Sequence, residues 1–251
     1  MIRRVVITRP REDAALLAGR LAERDIEGLI EPMLDIVPRS LDAPLDLEGV
    51  QAILVTSVNG VRALAQASSR RDLPLLTVGP ASAEAAEACG FAEVCAASGG
   101  VAALAALACS RLRPDSGRLV HATGDHIAGD LGGALGAEGF AVRREVLYEA
   151  HTATALSVGL RISLTARDLD AVLFFSPRSA GTFVTLLHAA GLAQSAASLD
   201  ALCLSDAVAQ AAGGVAWRRV AVAKRLDQEA VLALLDTGSF RTPSGSSGSR
   251  N

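Results

Sequence analysis

Aromatic side chains are scarce in this sequence of 251 residues: they make up 3% of it, while 50% of the residues are hydrophobic and 20% are charged. This composition excludes a disordered chain and leaves Ala, Leu and Val to fill the core. The longest apolar run, residues 101–109, falls far short of the ~18 to 20 residues that a membrane span needs. The N-terminal residues lack the apolar segment of a signal peptide. We therefore expect a cytoplasmic protein that does not bind a membrane.

Cysteine and charge are also limited. There are four cysteines, and none forms a C-x-x-C pair: Cys89, Cys95, Cys109 and Cys203. They lie mostly in apolar stretches, so we predict buried thiols and neither a disulfide framework nor a zinc site. The net charge of −3 argues against a general nucleic-acid-binding protein.

Familiar catalytic and nucleotide-binding motifs are missing. The sequence has no G-x-S-x-G elbow, H-E-x-x-H pair or phosphate-binding P-loop, and its glycine cluster at residues 129–136 has the wrong spacing for a dinucleotide site. The histidines lack metal-ligand spacing, so we interpret them as surface or structural residues; only His126 lies near a loop of functional interest. We predict that the protein needs no metal and no organic cofactor.

Strand-like runs alternate with Ala-rich helical stretches along most of the chain, which predicts an α/β protein with parallel sheets. The pattern occurs twice. Residues 52–57 (AILVTS) match residues 171–176 (AVLFFS), and residues 76–79 match residues 202–205 one helix and one strand later. The repeat predicts two similar α/β lobes.

Two extended stretches indicate how the lobes are joined. Residues 32–39 and 145–150 are strand-like and are expected to pair as a two-stranded linker, with one lobe inserted into the other and a ligand cleft between the lobes. The predicted parts are a discontinuous first lobe (residues 1–34 and 151–240), a second lobe (41–144), linker strands (35–40 and 145–150) and a disordered tail (241–251).

Several predicted strands end in a short polar turn that begins a helix. Each turn alone is explained as a helix N-cap, with Ser or Thr accepting free amides and Pro in the first turn. Together, at the carboxyl ends of parallel strands, they suit an anionic ligand, because helix starts carry free N–H groups and partial positive charge. The candidate ligand-binding residues are Thr8, Arg9, Ser57, Asn59, Gly79, Ser82, Gly124, Ser176, Pro177, Ser179 and Ser205.

The order and spacing of these motifs resemble the uroporphyrinogen-III synthase family, up to about Leu235. The resemblance rests on Ile7-Thr8-Arg9-Pro10, Pro32, Thr56-Ser57-Val58-Asn59-Gly60-Val61, Val78-Gly79-Pro80-Ala81-Ser82-Ala83, Gly124, Tyr148 and Phe175-Ser176-Pro177. It implies two α/β lobes with a two-stranded linker and the substrate hydroxymethylbilane, a linear tetrapyrrole with acetate and propionate groups on every ring. The implied reaction closes the ring with loss of water and inversion of ring D.

The sequence departs from the pattern of this family at a few positions. Gly60 stands where the family usually has Ala, and Ser82 where it usually has Thr. Residues 205–208 (SDAV) replace a pattern that resembles Gly-Pro-Thr-Thr. Val208 therefore lacks a hydroxyl, and Asp206 adds negative charge near the expected anionic ligand.

Tyr148 is the candidate catalytic residue, as a neutral hydrogen-bond donor to the departing hydroxyl. It is the only tyrosine, and the alternative is a structural role in the linker. Among arginines that could neutralise carboxylates we place Arg9 before Arg39, Arg62 and Arg178.

We expect a monomer whose partner is a small tetrapyrrole. The competing interpretation is a two-lobed, non-catalytic protein that binds a small molecule, since two α/β lobes and polar helix starts fit it equally well.

Overall fold

The computed structural model describes residues 2–127 and 129–236. Within them the chain forms two compact units. The first unit comprises the residues up to Asp35 and those from Thr152 onward, and the second unit comprises Ile36–His151. The predicted disordered tail, residues 241–251, lies outside the described residues.

Strands and helices alternate along most of this chain. In chain order the strands are β1 (Arg4–Ile7), β2 (Glu27–Ile30), β3 (Leu34–Pro38), β4 (Val50–Val55), β5 (Leu75–Thr77), β6 (Val94–Ala96), β7 (Arg118–Gly124), β8 (Val142–Thr152), β9 (Ala171–Phe174), β10 (Asp200–Cys203) and β11 (Arg219–Val222). The helices are α1 (Arg11–Ala22), α2 (Val58–Ala67), α3 (Pro80–Ala88), α4 (Gly100–Arg111), α5 (Leu131–Ala137), α6 (Val158–Ala166), α7 (Pro177–Ala189), α8 (Asp206–Ala211) and α9 (Gln228–Asp236), with a 3-10 turn at Ala193–Ser198.

The sheet of the first unit has the order β11-β10-β9-β1-β2, and every neighbouring pair is parallel. Alternate residues of a strand point to opposite faces. Val5 and Ile7 of β1 accordingly pack in the apolar cluster with Leu17 of α1 and Leu232 of α9. Val6 packs in the cluster on the other face, with residues of α6, α7 and α8. Helices therefore cover both faces of this sheet.

The sheet of the second unit has the order β3-β8-β7-β4-β5-β6, and the pairs from β8 to β6 are parallel. Ile53 and Val55 of β4 pack with the α2 side. Leu54 packs with Leu104 of α4 and Leu131 of α5 on the opposite face. These two mostly parallel, helix-covered sheets confirm the predicted α/β fold class.

The strand β8 differs from the prediction in extent. Residues 145–150, predicted as a linker, lie within β8, which pairs with β7 from Val142 to Tyr148 and has β3 on its other side. Leu147 and Ala150 are buried in the core of the second unit. The sequence predicts a strand-like run over residues 141–150, and the structure extends it to Thr152.

The cysteines also depart from expectation. Cys203 is buried in β10, and burial raises the pKa of its thiol to about 12. Cys89 and Cys95 are half-buried, while Cys109 is exposed on α4. The prediction of buried thiols is wrong for Cys109, because α4 is apolar on nearly all sides and its periodicity does not indicate the buried face. Among the described residues, no helix is long and apolar enough to cross a membrane.

Candidate functional site

The second unit brings three of the predicted residues together at the carboxyl edge of its sheet. Ser57 follows β4, Gly124 ends β7, and Tyr148 lies in β8, and these three strands are neighbours. The Tyr148 hydroxyl lies 3.0 Å from Ser57 Oγ. Tyr148 is 8% exposed, with its ring in the apolar cluster on the α2 side of the sheet. A buried ring with a polar tip at the sheet edge is the arrangement in which tyrosine combines packing with hydrogen bonding.

Ser57 is the N-cap of α2. Its backbone is extended, and its Oγ accepts a hydrogen bond from the Gly60 N–H at 3.0 Å. This satisfies one of the amides that every helix leaves free at its start. Gly60 fits a confined position: an added Cβ would lie 2.7 Å from Val55 Cγ1 and 3.2 Å from the Ala122 carbonyl oxygen. The absence of a side chain at Gly60 thus allows the first turn of α2 to lie close to the sheet.

Gly124 provides the contact surface for the Tyr148 ring. A Cβ on Gly124 would lie 2.7 Å from both Cε2 and Cζ of Tyr148 and 3.1 Å from its hydroxyl. Real Cβ atoms do not approach other atoms so closely, so any side chain at Gly124 has to displace the ring. The backbone itself does not need glycine here, since Gly124 does not have a positive φ. Steric fit to Tyr148 is therefore the reason for a glycine.

The turn after β7 is fastened to β8 on both sides of Tyr148. The Asp125 N–H donates to the Tyr148 carbonyl at 3.1 Å, and Asp125 Oδ1 accepts from the Ala150 N–H at 3.1 Å. The Arg144 guanidinium donates to the carbonyls of Gly124 at 3.0 Å and of Asp125 at 2.8 Å. These bonds fix the glycine surface against the ring. Asp125 and Arg144 are not among the predicted site residues, because both bond to backbone groups that carry no motif.

The remaining candidates of the second unit lie at the same edge. Gly79 follows β5, the neighbour of β4, and is the extended N-cap of α3, with Pro80 in the first turn. Ser82 is buried in that turn, and Asn59 is half-buried in the first turn of α2. A Cβ at Gly79 would contact nothing within 4 Å. Open space at this helix start leaves room for a ligand.

The carboxyl edge of the first unit's sheet carries the corresponding residues after β1, β9 and β10. Ser176 caps α7: its Oγ accepts from the Ser179 N–H at 3.1 Å and donates to Ser179 Oγ at 2.9 Å. Pro177 occupies the first turn. Ser205 caps α8 with a longer contact of 3.4 Å to the Val208 N–H. Thr8 is fully buried, and its hydroxyl donates to the Leu173 carbonyl at 2.7 Å.

Arg9 is held within the first unit by side chains that sequence reasoning did not associate with it. Its guanidinium donates to Asp13 Oδ2 at 2.9 Å and to Gln228 Oε1 at 2.8 Å. It also lies 4.7 Å from the centre of the Phe175 ring, at the distance of a cation–π contact. Arg9 precedes the N-cap of α1, Pro10, and its spacing of four residues from Asp13 was the signal available in the sequence. The positive charge of Arg9 is thus already matched by a carboxylate.

His121 is a buried histidine beside this edge. It lies in β7, is 5% exposed, and is in register with Arg144 of β8. Burial, followed by the charge of Arg144, lowers the pKa of His121 to about 4. Within the described chain its Nε2 is buried without a hydrogen-bond partner. His121 is therefore neutral at pH 7.

The Ser205–Val208 turn is explained by packing. Val208 is 1% exposed and belongs to the apolar cluster that contains Phe174. Asp206, by contrast, is exposed at the start of α8, where a carboxylate is favoured by the helix dipole. Among the described residues, no group of three or more His, Cys, Asp or Glu side chains is arranged to hold a metal ion.

Comparisons with known proteins agree with this architecture. The family model described as uroporphyrinogen-III synthase HemD matches residues 15–233. No curated protein sequence matches the chain. The crystal structure of uroporphyrinogen-III synthetase from Helicobacter pylori 26695 is 17% identical, with a TM-score of 0.61, and the match covers 94% of this chain and 99% of that one. A mutant uroporphyrinogen III synthase from the extremely thermophilic bacterium Thermus thermophilus is 19% identical, with a TM-score of 0.57 and coverage of 94% and 98%. At these identities the structures establish a shared fold.

Proposed function

Because the chain belongs to the uroporphyrinogen-III synthase family, we propose that it cyclises hydroxymethylbilane to uroporphyrinogen III, with loss of water and inversion of ring D. Enzymes of this family act in the biosynthesis of porphyrins and other tetrapyrroles. Elimination of water with ring closure makes the proposed enzyme a lyase. The substrate itself carries the leaving hydroxyl and the pyrrole nitrogen that expels it, so the proposed reaction needs no metal and no organic cofactor.

The observation that supports the proposal most directly is the fixed hydroxyl of Tyr148. Departure of a hydroxyl group requires a proton, and a phenol with an ordinary pKa of about 10 retains its proton at neutral pH. The Tyr148 ring is held by Gly124 and its oxygen by Ser57. We propose that Tyr148 donates this proton, which leaves an electrophilic azafulvene. Attack by the substituted carbon of ring D gives a spiro intermediate, and its rearrangement closes the type III ring.

Positioning of the substrate explains the formation of the type III isomer better than the acidity of Tyr148 does. The unassisted bilane closes without inversion, so the enzyme has to select and hold one conformer. We propose that amides at helix starts bind acetate and propionate groups. The candidates are those at Asn59, Gly79 and Ser82 in the second unit, and those at Ser176 to Ser179 in the first unit. The free amides and the partial positive charge at helix starts suit carboxylates. We further propose that Arg9 orders the start of α1 through Asp13 and does not bind carboxylate directly, and that the enzyme acts as a cytoplasmic monomer.

A product assay tests this function. The purified protein is incubated with hydroxymethylbilane generated enzymatically, and the type I and type III isomers are separated by chromatography. We expect type III in excess over the type I that forms without protein. Tyr148→Phe removes only the hydroxyl and is expected to slow type III formation while tetrapyrrole binding is retained. Type I alone, together with saturable tetrapyrrole binding, would instead support a non-catalytic binding protein.

A further inference from the structure

The hydroxyl of Ser57 is shared between two partners. Its Oγ lies 3.0 Å from the Gly60 N–H donor and 3.0 Å from the Tyr148 hydroxyl. A serine hydroxyl has one proton and two acceptor sites, and Gly60 occupies one of these sites. The contact with Tyr148 can therefore use either the serine proton or the tyrosine proton. The two arrangements leave different atoms available to a ligand.

Proton donation by Tyr148 to Ser57 directs the phenolic proton away from any ligand. Donation by Ser57 to Tyr148 has the opposite effect, because the phenol then keeps its proton for a third group. It also places a donor against the oxygen on which negative charge develops when that proton leaves. Hydrogen bonds to charged groups are stronger than those between neutral groups. Ser57 additionally lies at the start of α2, a helix of ten residues whose positive end favours negative charge nearby.

We infer that Ser57 is a positioning residue that acts through Tyr148. Its hydroxyl donates to the Tyr148 oxygen, directs the phenolic proton toward the departing hydroxyl, and stabilises the phenolate that remains. This inference rests on the proposed function. The proton passes from Tyr148 to the hydroxyl that leaves as water, and the proton that ring D loses on closure returns to the phenolate. The cycle therefore consumes no acid and leaves the protein unchanged.

The composition of the chain makes this inference testable without substrate. Tyr148 is the only tyrosine, so the near-ultraviolet absorbance of phenolate reports its ionisation alone. We expect Ser57→Ala to lower the acid dissociation constant of the Tyr148 phenol by about tenfold, because the phenolate loses a hydrogen bond that stabilises it. Ser57→Thr keeps the hydroxyl and should titrate close to the unsubstituted protein. Ser157→Ala is the matched control, because Ser157 caps α6 in the same way, accepting from the Leu160 N–H at 3.1 Å, but belongs to the first unit, whereas Tyr148 belongs to the second.

Circular dichroism of each variant verifies that the helices are retained. Arg144 and Asp125, whose hydrogen bonds hold the turn after β7, are unchanged throughout. A phenol in Ser57→Ala that titrates as in the unsubstituted protein would overturn the inference. So would an equal effect of Ser157→Ala.

Kinetic measurements provide a second test of the role of Ser57. If Ser57 acts through Tyr148, Ser57→Ala lowers the rate of type III formation in the unsubstituted protein and has little further effect in a Tyr148→Phe background. Equal rate losses in both backgrounds would contradict the inference. The two proposals can be disproved separately. If the unsubstituted protein forms no type III product, the proposed function is wrong, but the titration of Tyr148 can still be interpreted. If Ser57→Ala forms type III product at the normal rate and its phenol titrates normally, only the role of Ser57 is wrong.

Discussion

Gly124 shows how a residue without a functional group can determine the position of one that has it. Its Cα lies against the Tyr148 ring, at a distance that leaves no space for a methyl group. The sequence identified Gly124 as a candidate because a glycine followed a strand. The contact itself depends on the register of β7 and β8, which shifts between Thr123 and Gly124. That shift is a long-range property of pairing between strands, and local sequence does not encode it.

The first prediction tests this contact. Gly124→Ala places a methyl group where the ring lies, so we expect a loss of about 1 to 3 kcal/mol of stability from overpacking and a rate of type III formation lower by about tenfold to a hundredfold. Product chromatography and urea unfolding measure the two effects. Gly136→Ala in α5 is the control, since a Cβ there contacts nothing within 4 Å. It should leave the rate unchanged and slightly increase stability. Normal turnover by Gly124→Ala would show that the ring position is not critical.

The second prediction concerns the pH dependence of stability that arises from His121. Its folded-state pKa of about 4 lies below its ordinary value of 6.5. As pH falls through this interval, the unfolded chain binds a proton that the folded protein does not, so stability is lost between about pH 6.5 and pH 4. At pH 5 the loss from this one group is at most about 2 kcal/mol.

Urea unfolding at pH 7 and pH 5 measures this effect. His121→Leu should reduce the difference in unfolding free energy between the two pH values. His126→Gln is the control at an exposed histidine, since that side chain is 70% exposed. An identical pH dependence in His121→Leu would assign acid sensitivity to other groups.

At the scale of elements, strands that are apolar throughout were predictable and side-chain pairings were not. β9 is a continuous hydrophobic run, and β4 is one from Ala52 to Val55, as expected for strands covered on both faces. The Ser and Pro residues at helix starts also indicated α2, α3 and α7 correctly. In contrast, the contact of Ser57 with Tyr148 joins residues 91 positions apart in sequence. It follows from the neighbouring positions of β4, β7 and β8, which no local pattern specifies.

The helix starts also explain the altered turn of α8. In α7 the residue three after the cap, Ser179, bonds the cap hydroxyl, whereas in α8 that position holds buried Val208. Val208→Thr keeps the shape and places a hydroxyl near Ser205. We therefore expect it to cost less than the ~1 to 3 kcal/mol of an unpaired buried hydroxyl. Combining it with Ser205→Ala removes the partner, so the two losses should exceed additivity when measured by urea unfolding. Strictly additive losses would show that no hydrogen bond forms between these side chains.

At the scale of the whole molecule, the two α/β units were expected from the repeat, but their boundaries depend on β8. The sequence suggested a second lobe that ends at residue 144. In the structure, Leu147 and Tyr148 of β8 are buried in the core of the second unit, and Asp125 binds Ala150. A fragment ending at residue 144 loses these contacts and exposes the edge of β7, whereas Ile36–His151 keeps them. Unpaired central strands with exposed apolar faces are poorly stable and prone to aggregate.

The last prediction follows from that difference. We expect a fragment of residues 36–151 to be soluble and to unfold cooperatively in urea, because it retains β4 to β7, all of β8 except Thr152, part of β3 and both apolar clusters of its unit. A fragment of residues 41–144 should be less stable by more than about 3 kcal/mol, since it leaves the sites of two large buried side chains empty. Tyr148 also makes the longer fragment informative. Its phenol should titrate as in the full chain, because Ser57 and Gly124 are both present. Equal stability of the two fragments would show that the β8 segment beyond residue 144 contributes little to the folding of the second unit.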